Sequence, residues 1–348
     1  MFQRAALPIA STATGSAHTE SFRSFPLRRS ALVGLAGCAI LVLCATAQAQ
    51  VVRFVSSGGN DANNCMRATP CLTLQRGIDR TPPNGELQIL DSGNYADTPA
   101  TISRSIAISA DGVTANVGGI IVNGVGIVVA LRGLHLAGRG LADTSGVAIG
   151  NAAATVSIER CTIEQFRAHG VQVTREDTPS TSVVVTDSII RDNVQDGLTT
   201  LGRIRPTGAT ISLAVTASRF ENNGQNGLLT FGTSGSITDT VISGHGRSGI
   251  SQQGGKLDLV RTIASGNDKG YVVGDAGLMM LESSVARDNA TIGLRTNANG
   301  TASIANSVLT NNAIGISNGG IVATRQNNLV DGNTNDLAGG ALTVLGGQ

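Results

Sequence analysis

The amino-acid sequence predicts an all-β solenoid, a parallel β-helix with about 22 residues per coil and three short strands in each coil. Three observations predict it. Gly makes up 45 of 348 residues, Trp is absent, and aromatics reach only 3%. A compact mixed domain spends aromatics freely, whereas stacked strands and tight turns use Gly, Asn, Ser, Thr, Val and Ile. Segments such as SIIRDNVQDGL, SRFENNGQNGL, SVARDNATIGL and SVLTNNAIGI repeat one pattern. Apolar and other residues alternate in the stretch before each of them, the period of a strand with one buried face.

The N-terminus carries a targeting pattern. Arg23, Arg28 and Arg29 precede an apolar run from Ala31 to Ala45, and Ala47-Gln48-Ala49 fits an A-x-A cleavage site. Residues 1–49 are therefore expected to be a signal peptide. The mature chain would start near Gln50 and act as a secreted, periplasmic or cell-surface protein. The run is too short for a comfortable membrane span, so no transmembrane segment is expected in the mature chain. Leu35-Ala36-Gly37-Cys38 resembles a lipobox, but it sits in mid-run; Arg28-Arg29 resembles a twin-arginine signal with poorly fitting flanks. Simple export is the better reading of both.

Loss of residues 1–49 removes Arg4, Arg23, Arg28, Arg29 and Glu20, taking the formal charge from +1 to −2. Lys256 and Lys269 are then the chain's two lysines. Nucleic-acid binding needs a basic patch, so it is excluded, and strong attraction to polyanions is not expected. In an oxidising compartment Cys65 and Cys71, six residues apart in a loop-like stretch, read as a disulfide; two free thiols are the bland alternative. Cys161 falls in the repeat and reads as a small buried residue.

Residues 50–110 read as an N-terminal cap and first coils, with a strand over Val52–Ser56 and a helix over Leu72–Asp79 stopped by Pro82-Pro83. That helix would cover an open sheet edge. Residues 111–348 read as the β-helix proper. A small polar column holds Cys161, Ser188, Ser218, Thr240, Thr262, Ser284, Ser307 and Asn328; from Ser218 it recurs after 22, 22, 22, 23 and 21 residues. Five residues later stands a turn column of Phe166, Asn193, Asn223, His245, Asn267, Asn289, Asn312 and Asn333. Asn tolerates positive φ and is placed there for that reason, its amides bonding up and down the stack as a ladder. A Gly column follows at Gly170, Gly197, Gly227, Gly249, Gly270, Gly293 and Gly315. The pattern fades after Leu337, so the tail ALTVLGGQ is expected to be a poorly defined last coil.

Three short strands per coil with an Asn turn resemble the pectin-lyase-like superfamily over roughly residues 85–345. The resemblance implies a single-stranded right-handed parallel β-helix. The opening FVSSGGNDANNC…PCLTLQRGID is similar to that of many exported β-helix proteins. The superfamily spans lyases, hydrolases, epimerases, adhesins and proteins without known activity, so the resemblance fixes no reaction.

The strand before each small polar residue offers an outward face on which chemistry could stand. Ile158, Val185, Val215, Ile237, Leu259, Leu281 and Ile304 should point inward and their neighbours outward. Asp258 and Glu282 form the best outward acid pair, one rung and one two-residue step apart. They could hold Ca²⁺ or serve as general acid and base on a glycan; ordinary charges on a solvated face are the alternative. No other metal or cofactor is implied. Two coils carry extra residues over 174–182 and 202–210, which should project side by side and offer Arg175, Glu176, Asp177, Arg203 and Arg205 for binding. Gly244-His245-Gly246 resembles a polygalacturonase motif, but the Asp-Asp and Arg-Ile-Lys partners are missing and His245 lies in the ladder column. Aromatics for sugar stacking are few: Phe166, Phe220, Phe231 and Tyr271. The leading expectation is an exported scaffold, adhesive or polysaccharide-binding protein of the cell envelope or its surroundings. The alternative is a polysaccharide lyase or glycoside hydrolase working beside the long loops.

Overall fold

A computed structural model describes residues 50–95, 99–138, 144–150, 154–175, 180–202 and 210–346. These belong to the second of the chain's two compact units, Ala49–Gln348. Residues 1–49, where a signal peptide is expected, lie outside the described residues.

The unit is a solenoid of three parallel sheets. Among the described residues, sheet 1 has 13 strands, and sheets 2 and 3 have 11 each. The chain visits them in the order 1, 2, 3 in every coil, so each strand pairs with the one a full coil away: Val156 with Val183, Val183 with Leu213, Ile163 with Ile190, Val171 with Leu198. No strand can bury its apolar face alone, and stacking supplies the core. The seven residues expected to point inward from sheet 1 are all buried, as are Phe166, Phe220 and Tyr271.

Two turns define the coil. Between sheets 1 and 2 the link is two residues, as from Glu159 to Thr162 or Glu282 to Val285. The first has φ between 48° and 52° in Arg160, Asp187, Ala217, Asp239, Arg261, Ser283 and Asn306. The second is the buried small polar residue. Ser218 Oγ accepts the Ser188 N–H at 3.2 Å, and Ser307 Oγ accepts the Ser284 N–H at 3.1 Å. This column is thus a second ladder, made of hydroxyls. Cys161 shares it as a buried free thiol, whose burial pushes its pKa up to about 11.

The Asn ladder is present, but its backbone differs from expectation. Positive φ falls one residue before it, at Gln165, Asp192, Asn222, Gly244, Gly266, Asp288, Asn311 and Gly332, with values between 51° and 74°. The left-handed residue turns the chain and, where it has a side chain, leaves it exposed. The next residue, at ordinary φ, then points inward. Asn193, Asn223, Asn267, Asn289 and Asn312 are each at most 3% exposed. Asn289 shows the full set: Nδ2 donates to Ala264 O and Asn312 Oδ1, and Oδ1 accepts the N–H and Nδ2 of Asn267. Asn333 closes the series by accepting from Asn312 N and Nδ2. The Gly column has a steric cause: a Cβ on Gly270 would lie 2.5 Å from Gly293 O and 3.0 Å from Asn289 Nδ2.

The cap is a single helix, α1 (Leu74–Arg80), two residues later at its start than the sequence indicated; Thr73 is its N-cap, accepting from Arg76 N. Leu74 and Ile78 are buried, and a Cβ on Gly77 would meet Leu87 and Val55 at 2.7 Å, so α1 sits directly on the first strands of sheet 1. Cys65 and Cys71 form the expected disulfide. The last coil is better ordered than the fading pattern implied. Asn335–Gly339 still pairs in sheet 3, and Thr343–Val344 adds to sheet 1, because strand pairing uses backbone groups and survives loss of the side-chain pattern.

Candidate functional site

On the outer face of sheet 1, Asp258 pairs in register with Met280 and Val260 with Glu282, which sets the two carboxylates on a diagonal as the sequence indicated. Each is engaged separately. Asp258 Oδ2 lies 3.1 Å from Lys256 Nζ, while Oδ1 is buried without a partner. Glu282 Oε1 accepts from Asn306 Nδ2 at 2.7 Å. Exposed Met280 pairs with Asp258, and exposed Leu278 with Lys256. No group of three or more His, Cys, Asp or Glu side chains suited to a metal ion occurs among the described residues.

The long loops can be placed by their stems. Thr174 pairs with Leu201 and Arg175 with Gly202 in sheet 3, and Ser180 Oγ meets Thr210 Oγ1 at 3.2 Å where the chain re-enters sheet 1. Both insertions therefore leave from one corner, between sheets 3 and 1, on neighbouring coils. Glu176, Asp177, Arg203 and Arg205, and the side chain of Arg175, lie outside the described residues.

A different face carries a groove. On sheet 3, Leu229, Ser251, Val272 and Arg295 stack in register as one outward column. Phe231 pairs with Gln253 beside them. Asn226 and Arg247, just before these strands, and Ser248 and Lys269, which open two of them, wall the other side. Together they line a groove of about 550 Å³. Of the four coil aromatics, Phe231 is the one that reaches it.

The groove is locally cationic. Arg247 and Arg295 have no ion-pair partner among the described residues. Asp268 is its carboxylate, bonded to Lys269 Nζ and to Thr291 Oγ1. Burial opposes the charged form of Asp268, but these bonds outweigh it and hold the carboxyl below its usual range. Two positive side chains remain uncompensated. Behind the wall runs a buried polar string: His169 Nδ1 lies 3.2 Å from Asp196 Oδ2, Asp196 Oδ1 accepts from Asn226 N and Nδ2, and Asn226 Oδ1 accepts from Ser248 N. It fixes Asn226 and Ser248 where they meet the groove.

This face is not visible from the inward–outward alternation of the strand before the small polar column, to which it does not belong. The same alternation after each Gly, in GLLTF, GISQQ and GLRTN, places Leu229, Ser251 and Arg295 on one side.

This geometry defines a class of fold: three parallel sheets visited in the same order in every coil make a right-handed parallel β-helix. In keeping with it, residues 203–348 match the family described as right handed beta helix region. Among solved structures the chain is similar to the pectate lyase Pel9A, with TM-score 0.53, 14% identity, and coverage of 85% of this chain and 80% of that one. It is also similar to a rhamnogalacturonan lyase, with TM-score 0.50, 12% identity, and coverage of 75% and 76%. Likeness at such identity shows the fold alone. No curated protein matches the sequence. No helix among the described residues is long and apolar enough to cross a membrane.

Proposed function

We propose that this is an exported, non-catalytic polysaccharide-binding β-helix whose ligand lies along the sheet 3 groove and carries acidic groups. The observation that carries the reading is the pair of unpaired guanidinium groups, Arg247 and Arg295, in an open groove floored by amide, hydroxyl and apolar side chains. Guanidinium groups match carboxylate and sulfate oxygens in fork geometry, and Phe231 offers one apolar platform for a sugar ring. The acid pair that hydrolysis would use is not in the groove, and on sheet 1 Asp258 and Glu282 bond to other residues. Export is supported by the Cys65–Cys71 disulfide and the N-terminal targeting pattern.

The test is binding of mature protein to neutral and acidic polysaccharides, with and without Ca²⁺, alongside polymer length by size-exclusion chromatography. Acidic polymers are expected to bind and keep their length. Arg247→Ala and Arg295→Ala should each weaken binding about tenfold or more, the value of a charge-assisted hydrogen bond. Shortening of any polymer would replace this reading with that of a carbohydrate-active enzyme. Binding indifferent to both substitutions would move the site to another face.

A further inference from the structure

One rung of the amide ladder is not asparagine. His245 occupies the position held by Asn223 and Asn267 in the coils on either side, and it is 2% exposed. Its Nδ1 accepts the Asn223 N–H at 3.0 Å, and its own N–H donates to Asn267 Oδ1 at 3.0 Å. An accepting Nδ1 means a neutral ring with its proton on Nε2. That Nε2 is buried and makes no well-formed hydrogen bond, the Phe220 carbonyl being the acceptor that acts on the ring, and it packs so closely on Gly227 that a Cβ there would come within 2.7 Å. The amide chain is broken at this rung. Asn193 Nδ2 donates to Asn223, and Asn267 Nδ2 to Asn289, but Asn223 Nδ2 reaches only the Ile190 carbonyl.

The turn that holds His245 also carries a wall of the groove. It joins Val241–Ser243 of sheet 2 to Ser248–Gln253 of sheet 3 and contains Arg247. Arg247 N–H donates to Gln225 O at 2.8 Å, and Arg247 O accepts from Lys269 N at 3.0 Å. The path of this turn therefore sets where the Arg247 guanidinium stands.

We propose that protonation of His245 releases this turn, withdraws Arg247 from the groove and weakens binding of an anionic ligand, an acid-operated control of the site that rests on the binding reading above. The added proton goes to Nδ1, which then faces the Asn223 N–H donor to donor at the present 3.0 Å. Neither group can be satisfied unless the ring or the turn moves, and a buried imidazolium needs water or a new acceptor. The charged groups acting on the ring are Asp196, from the turn two coils away and itself paired with His169, and Glu221 of sheet 2. Arg247 of the same turn carries like charge. Burial outweighs the two carboxylates and pushes the imidazole down to about 4, so the turn stays closed at neutral pH.

The experiment compares the mature wild type with His245→Asn, which restores the amide rung. Amide hydrogen exchange over residues 243–248 is followed from pH 7 to pH 4, corrected for intrinsic rates, with binding to dextran sulfate, whose charge does not titrate in that range. In the wild type, exchange in this turn should rise about tenfold relative to the variant, and affinity should fall about tenfold while the variant keeps its own. Equal exchange in both proteins overturns the proposal whether or not the polymer binds. Turn release without a change in affinity overturns the coupling to Arg247. Absence of binding by either protein at pH 7 overturns the groove reading and its regulation together, while the exchange data still decide whether the turn opens.

Discussion

Replacing Asn289 with alanine removes one complete rung of the amide ladder and leaves the backbone path untouched. The side chain is 2% exposed and makes four hydrogen bonds between 2.9 and 3.2 Å. Its loss strands the Asn267 N–H, leaves Asn267 Nδ2 with one bond instead of two, and takes from the Ala264 carbonyl its side-chain donor while the sheet ladder to the next coil remains. Asn312 Oδ1 keeps the Asn289 backbone N–H as a donor. One buried backbone N–H orphaned at roughly 1–3 kcal/mol, with about 1 kcal/mol for the rung's other hydrogen bonds, gives a loss of about 2–4 kcal/mol. Asn299, exposed and without a side-chain bond, serves as control; its alanine variant should stay within about 0.5 kcal/mol of wild type. Urea unfolding followed by far-ultraviolet circular dichroism measures both, with the slope m compared first to show that the unfolding unit is unchanged. A loss below about 1 kcal/mol at constant m would refute the reasoning, for it would mean that water replaces the rung at little cost.

Three further outcomes are expected. The His245 imidazole is held at about 4 against an ordinary 6.5, so the unfolded chain binds this proton first as pH falls; stability is lost between about pH 6.5 and 4, by about 3 kcal/mol, and His245→Asn should remove that part of the slope in urea titrations across the range. Gly270→Ala forces a Cβ to within 2.5 Å of Gly293 O and should cost about 1–3 kcal/mol in the same assay, whereas Gly346→Ala, exposed, at ordinary φ and with nothing within 4 Å of its Cβ, should be near neutral. Replacing Cys65 and Cys71 together by Ser opens a short loop in the cap and should cost about 2 kcal/mol, with faster amide exchange confined to the cap and α1.

The coil was legible because its columns are chemically narrow. Gly stands where the next coil's carbonyl approaches, Asn or Ser where a buried side chain must bond its neighbours, and a branched aliphatic residue where sheet 1 faces inward. The backbone reason for the Asn column was not legible. Asn suits both a left-handed turn and a buried ladder, and Asn222 and Asn223 fill both roles side by side. The groove was obscured for another reason. Net charge averages over a chain, and a value of −2 for residues 50–348 hides Arg247 and Arg295, which stand unpaired on one face. The sheet 1 face drew attention through Asp258 and Glu282, yet nothing in their spacing foretold that Lys256 and Asn306 would engage them.

From Thr155 to Ala305 every link between sheets 1 and 2 is two residues long, while links between sheets 3 and 1 run from the single Gly232 to the eight residues after Gly202. Adding one residue at the tight corner would turn every side chain of the following strand to the opposite face. Adding several at the open corner costs only loop-closure entropy, about 0.6 kcal/mol for each doubling of length. The solenoid thus separates what must stay constant from what is free to change. Loops bordering the groove can be lengthened, exchanged or grafted one coil at a time, and whole coils can be deleted or duplicated in blocks, without repacking the spine.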